Sequence, residues 1–155
     1  MTTRRGFGDE MWRLAQERDA ASLHRAADML LTDPADLNYE GHRARAFALA
    51  VEGQTDQALA QLNEGWTEEW PFPAAYATDV GRVRFLTGEY DESLTALQLA
   101  VRGAERLDAG VTELAGLCVA RRPESWARAL RIVTAGGKSW QRVRAAGVVV
   151  RARFS

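Results

Sequence analysis

The chain has one cysteine, Cys118, among its 155 residues. A single thiol excludes a disulfide framework and any multi-cysteine zinc site. There are two histidines, His24 and His42, and no neighbouring cluster of Cys or carboxylates supplies them with further ligands at metal spacing. Lysine is nearly absent too: 20 basic side chains include only Lys138, the rest being arginine. That bias fits a GC-rich coding genome, so arginine content alone says little about anion recognition. No segment approaches the roughly 18 uninterrupted apolar residues needed to cross a bilayer. Arg4 and Arg5 are followed by no apolar stretch of the secretory kind. The reading is a cytoplasmic protein without membrane contact.

Apolar residues make up 46% and charged residues 26%, the balance of a folded globular protein. The length suits one domain spanning 1–155, with no low-complexity linker to divide it. Beneath a net charge of -1 lies an asymmetry. Residues 1–120 hold 11 basic against 20 acidic side chains, whereas residues 121–155 hold 9 basic and only Glu124. The basic end therefore docks on the acidic body, stays solvated, or meets some other anion.

Helical periodicity organises the chain. Tyr76, Val80, Val83 and Leu86 recur at helical spacing, Thr87-Gly88 interrupts, and Asp91-Glu92 then place acids in the first turn of a new helix. Leu94, Leu97 and Val101 carry that helix to about Leu107. Upstream, Phe47, Leu49 and Val51 precede Glu52-Gly53-Gln54. Thr55 is then placed to cap a stripe of Ala58, Leu59, Leu62 and Trp66. Gly53 and Gly88 are 35 residues apart, a period typical of stacked helical units. Asp33-Pro34 and Trp70-Pro71-Phe72-Pro73 are stops. Hairpins are thus expected at about 8–32, 38–66, 74–107 and 110–135, with Pro123 opening the last helix of the fourth. Gly136-Gly137 ends it. Trp140, Val143, Gly147, Val150 and Phe154 then follow a 3-4-3-4 spacing over a capping helix at 138–153. The β-branched run Val148–Val150 makes a strand the rival reading there.

Val80-Gly81, Gly88-Glu89-Tyr90, Leu97 and Ala100 resemble the tetratricopeptide repeat pattern, and Ala46, Leu49, Gly53, Ala58 and Leu62 follow it less closely. Arg45, Thr55, Gly65 and Arg84 depart from it, and the outer units lack the glycine after the first helix. The resemblance implies an all-α fold of stacked antiparallel hairpins whose first helices line a concave face. On that face it places Glu40, Arg43 and Phe47, then Thr78, Arg82 and Phe85, then Cys118 and Arg121. Arginine forks beside aromatic planes suit an acidic or C-terminal carboxylate peptide. Phe47 and Phe85 fit a core position equally well. Of each pair Arg43/Arg45 and Arg82/Arg84, only one member can face the groove, because residues two apart point to opposite sides of a helix.

Other chemistry finds less support. Ala135-Gly136-Gly137-Lys138-Ser139 lacks the earlier glycine of a phosphate loop, since Ile132 stands there, and no strand precedes it. Cys118, between Leu117 and Val119, reads as a small packing residue, and a Cys–His pair across the fold is the only enzyme hypothesis left open. Glu68-Glu69 and Asp91-Glu92 are adjacent pairs that diverge by about 100° on a helix. Trp66, Trp70 and Phe72 form an aromatic cluster that is either a plug or a patch. The expected function is non-catalytic recognition of a protein or peptide, without cofactor. The alternative is nucleic-acid binding through Arg121, Arg122, Arg128, Arg131, Lys138, Arg142, Arg144, Arg151 and Arg153, interleaved with Trp126, Trp140 and Phe154.

Overall fold

The computed structural model of the chain describes residues 4–32, 38–66, 73–102 and 107–154, with side chains for 10–32, 39–66, 74–102 and 107–154. Among these residues all regular structure is helical, with no strand. The first four helices are α1 (Arg4–Gln16), α2 (Ala20–Thr32), α3 (Asn38–Val51) and α4 (Thr55–Gly65). Then come α5 (Pro73–Leu86), α6 (Tyr90–Val101), α7 (Ala109–Arg121), α8 (Trp126–Thr134) and α9 (Ser139–Phe154). Helical spacing therefore prevails over β-branching at Val148–Val150. The residues group by packing into two compact units, 1–71 with 86–88, and 72–85 with 89–155.

Three details differ from expectation. Thr55 is the first residue of α4 rather than its cap, and Gln54 before it makes no side-chain cap hydrogen bond. Pro123 opens a short 3-10 turn, Pro123–Ser125, ahead of α8, where its missing N–H costs nothing. Helix α6 ends at Val101, with Arg102 already extended. Asp33-Pro34, Glu68-Glu69, Trp70 and Phe72 lie outside the described residues.

The turns show why the first three hairpins form. Gly53 and Gly88 adopt left-handed φ values of 82° and 80°, and so does Arg18 at 58°. Arg18, Gly53 and Gly88 are spaced by 35 residues each time. In each turn the following N–H reaches back five residues, from Asp19 to Leu14, Gln54 to Leu49 and Glu89 to Arg84, at 2.9, 2.9 and 2.8 Å. That bond satisfies a carbonyl orphaned by the helix end, in the manner of a Schellman motif. The outer unit that lacks the glycine thus makes the same turn with an arginine. Its guanidinium reaches across to the end of α3, donating to the Val51 carbonyl at 2.8 Å.

The core keeps the same period. Leu23, Ala58 and Ser93 are fully buried, as are Ala27, Leu62 and Leu97. In the first unit α3 packs on α2 and α4, and buries Ala44, Ala46, Phe47, Ala48 and Ala50. Small alanines on more than one face let both neighbours approach. Gly65 departs from the repeat pattern for a steric reason: a Cβ there would lie 2.6 Å from His42 Cβ. In the second unit a Cβ at Gly81 would lie 3.3 Å from the Ser93 carbonyl, so α5 and α6 meet where the sequence is smallest. Helix α9 packs against both α7 and α8.

Candidate functional site

The residues expected on a concave face have mostly found partners inside their own unit. In the first unit the Arg43 guanidinium sits 5.3 Å above the Phe47 ring and 3.5 Å from the Glu40 carboxylate. Phe47 is fully buried, with Trp12 edge-on to it at 5.7 Å. The arginine fork beside an aromatic plane exists, but it is buried and answered from within. In the second unit Thr78 is buried and donates to the Ala74 carbonyl at 2.8 Å. Arg82 pairs at 3.0 Å with Asp79, whose side chain is only 3% exposed. Phe85 is nearly buried and leans on Tyr90 at 5.5 Å. Both phenylalanines are core. Arg121 is exposed at the C-terminus of α7, where the helix dipole favours a cation.

The second arginine of each Arg-x-Arg pair is also engaged. Arg45 pairs with Asp28 and donates to His24 Nδ1 at 2.6 Å, while His24 Nε2 donates to Glu52 at 2.6 Å. Arg84 bonds Glu89 at 3.1 Å. His42 Nδ1 donates to Gln61 at 2.9 Å. Cys118 is buried beside Ser93, Sγ to Oγ 3.5 Å, and Ser93 in turn donates to the Gly81 carbonyl at 2.7 Å. Burial pushes its thiol up to about 11, away from the thiolate a nucleophile needs. Among the described residues no three His, Cys, Asp or Glu side chains stand together as metal ligands.

An open cleft of about 770 Å³ lies elsewhere in the second unit, between α6 and α8. Leu99, Val101, Ile132 and Ala135 supply its apolar lining, and Arg102, Arg128 and Arg131 its charge. Thr95 and Gln98 complete the wall, and among the described residues no carboxylate lines it. Arg128 ties the helices together, donating to the Asp91 carbonyl at 3.1 Å and to Thr95 Oγ1 at 2.6 Å. Arg102 and Arg131 are exposed, and neither forms an ion pair among the described residues. Apolar walls beside exposed guanidinium groups accept an anion that carries an apolar body. Arg128 and Arg131 were on the basic-tail reading; Arg102 and Leu99 were missed. The signal was Leu99, which follows Leu97 by two and so sits on the opposite side of α6. It is 59% exposed.

The basic tail is largely solvated. Arg122 reaches the acidic part, pairing with Asp91 at 3.2 Å as well as Glu124 at 3.1 Å. Lys138, Arg142, Arg144 and Arg151 are exposed and form no ion pair among the described residues, while the half-buried Arg153 lies over the Phe154 ring at 5.1 Å. The 3-4-3-4 stripe on α9 was expected to face inward. Instead Ala145 and Val149 are buried, and Trp140, Val143, Val150 and Phe154 are exposed by 59, 75, 39 and 70%. Alanine and valine on the arginine side of the wheel fit closely under α7 and α8, and the bulkier stripe is left outside.

No protein-family model, curated protein or solved structure matches the chain. No helix among the described residues is long and apolar enough to cross a membrane.

Proposed function

We propose that the chain is a non-catalytic, cytoplasmic protein- or peptide-binding scaffold, built from tetratricopeptide-like hairpins, that captures an acidic segment. The observation that carries this reading is the α6–α8 cleft, with its apolar wall and two exposed arginines, Arg102 and Arg131, that form no ion pair among the described residues. The 35-residue recurrence of left-handed turns at Arg18, Gly53 and Gly88 supports the repeat assignment. An acidic side chain or a terminal carboxylate suits the guanidinium forks, and a neighbouring leucine-sized side chain suits Val101 and Ile132. The capture surface moves accordingly from the concave-face residues, which hold the core, to the cleft.

A labelled peptide of glutamates and leucines with a free C-terminal carboxylate provides the test. It should bind better than its lysine counterpart. Replacing Arg102 and Arg131 together by alanine should weaken it by about tenfold or more, since a charge-assisted bond is worth roughly 1.5–3 kcal/mol. Circular dichroism should be unchanged, because both side chains are exposed. Equal affinity in the double variant would overturn the assignment. The nucleic-acid reading rests on the exposed cations of α9 beside Trp140 and Phe154. It requires affinity for a single-stranded oligonucleotide that falls steeply with salt and vanishes on deleting 138–155.

A further inference from the structure

Helix α9 presents two opposed apolar faces. One carries Ala145 and Val149 against α7 and α8. The other carries Trp140, Val143, Val150 and Phe154, all exposed, at successive spacings of three, seven and four residues with Gly147 between the valines. At 100° per residue these positions fall within a strip of about 80°. That is the seam of a two-helix coiled coil, narrower than the face of a helix that lies in a lipid surface.

The flanks state what belongs on it. Arg144 and Arg151 run along one edge of the strip and are exposed. From Ser139 to Phe154 there is no Asp or Glu, so a second copy of α9 has no carboxylate to offer these cations. The strip's rings, Trp140 and Phe154, stand only at its ends, with Phe154 leaning on Trp126 at 6.3 Å. Val143 and Val150 between them give a base nothing to stack on, which places a nucleic acid second to an aliphatic partner. Gly147 adds no side chain to the middle of the seam, and the Arg151 guanidinium lies beside it, 3.4 Å from where its Cβ would stand.

We propose that the outward face of α9 is a docking site for an amphipathic helix of another protein, with aliphatic residues at heptad spacing and glutamate or aspartate on its flanks. The site is separate from the α6–α8 cleft and stands whether or not that cleft binds peptide.

The probe is a synthetic 21-residue helix with leucine at heptad positions a and d and glutamate at e and g, compared with the same helix carrying lysine at e and g. The wild-type chain should bind the glutamate helix about tenfold or more tightly than the lysine helix, because like-charge juxtaposition costs more than the 1.4 kcal/mol that tenfold represents. Val143→Asp with Val150→Asp should abolish binding, while circular dichroism shows an intact fold. Arg144→Glu with Arg151→Glu should reverse the preference towards the lysine helix, which a merely structural role for these arginines would not do. The same comparisons are repeated in the Arg102→Ala, Arg131→Ala background, which removes the cleft's share in holding a glutamate–leucine segment. The preference for the glutamate helix, and its loss on the paired valine changes, should both persist there. The proposal fails if the two helices bind alike or if charge reversal leaves the preference unchanged. It fails equally if the Val143→Asp change instead removes binding to phosphatidylserine vesicles or to an oligonucleotide, or dissociates a dimer of the chain seen by light scattering.

Discussion

Arginine does several different jobs in this chain, and burial decides which. Arg84 and Glu89 form a pair whose side chains are 29% and 36% exposed, in reach of water that screens them. Arg82 and Asp79 are 13% and 3% exposed, so their ion pair is shut away from water inside the second unit. Exposed ion pairs contribute roughly 0–1 kcal/mol, whereas removing one partner of a buried pair costs about 3–5 kcal/mol. Arg82→Ala should therefore destabilise the protein by about 3 kcal/mol and Arg84→Ala by less than about 1 kcal/mol, as read from urea melts. Arg82 was expected to face a groove. A stable, fully folded Arg82→Ala variant would show that it has no structural duty and return it to that role.

At the scale of elements, one device is used three times. Each first helix ends by swinging a single residue into the left-handed region, at Arg18, Gly53 and Gly88, which turns the chain back for the next helix. Gly53 and Gly88 were legible because glycine marks such bends. Arg18 was not, because an arginine carries no such mark, and only the spacing of 35 residues pointed to it. An ideal Cβ at Gly53 or Gly88 meets no atom within 4 Å, so a substitution there tests the backbone alone. Gly53→Ala and Gly88→Ala should each cost about 1–2 kcal/mol of stability, the usual cost of a left-handed L-residue. A neutral result at either position, measured by thermal unfolding, would mean that the turn relaxes to another geometry. The α9 stripe teaches the converse lesson. Periodicity placed Trp140, Val143, Val150 and Phe154 on one side of a helix correctly, but it cannot tell which of two apolar sides faces the core. Small residues at Ala145 and Val149 won because they fit the available space beneath α7 and α8.

For the whole molecule, the sequence disclosed the helical class and the places of the turns at Gly53 and Gly88, since both follow from local periodicity and turn residues. The α6–α8 cleft stayed hidden because its lining comes from side chains more than twenty residues apart, and single-sequence spacing reports only near neighbours. Cys118 gives a readout of the assembled state that no local pattern supplies. Burial raises its thiol from 9.0 to about 11 in the native protein, so the native state holds this proton more tightly than the unfolded chain does. The resulting stabilisation is fully present below pH 9, is lost progressively as pH rises, and is gone above about 11. Tyr76, raised by partial burial, acts in the same direction. Urea melts at about pH 8 and about pH 10.5 should show the wild type losing on the order of 1–2 kcal/mol more than Cys118→Ala. A thiol reagent should label native Cys118 slowly at pH 8, at a rate that climbs with urea as the second unit opens. Rapid labelling without urea, or identical pH profiles for wild type and Cys118→Ala, would place the thiol at the surface. The Cys118–Ser93–Gly81 contact between α7, α6 and α5 would then not be a feature of the folded protein.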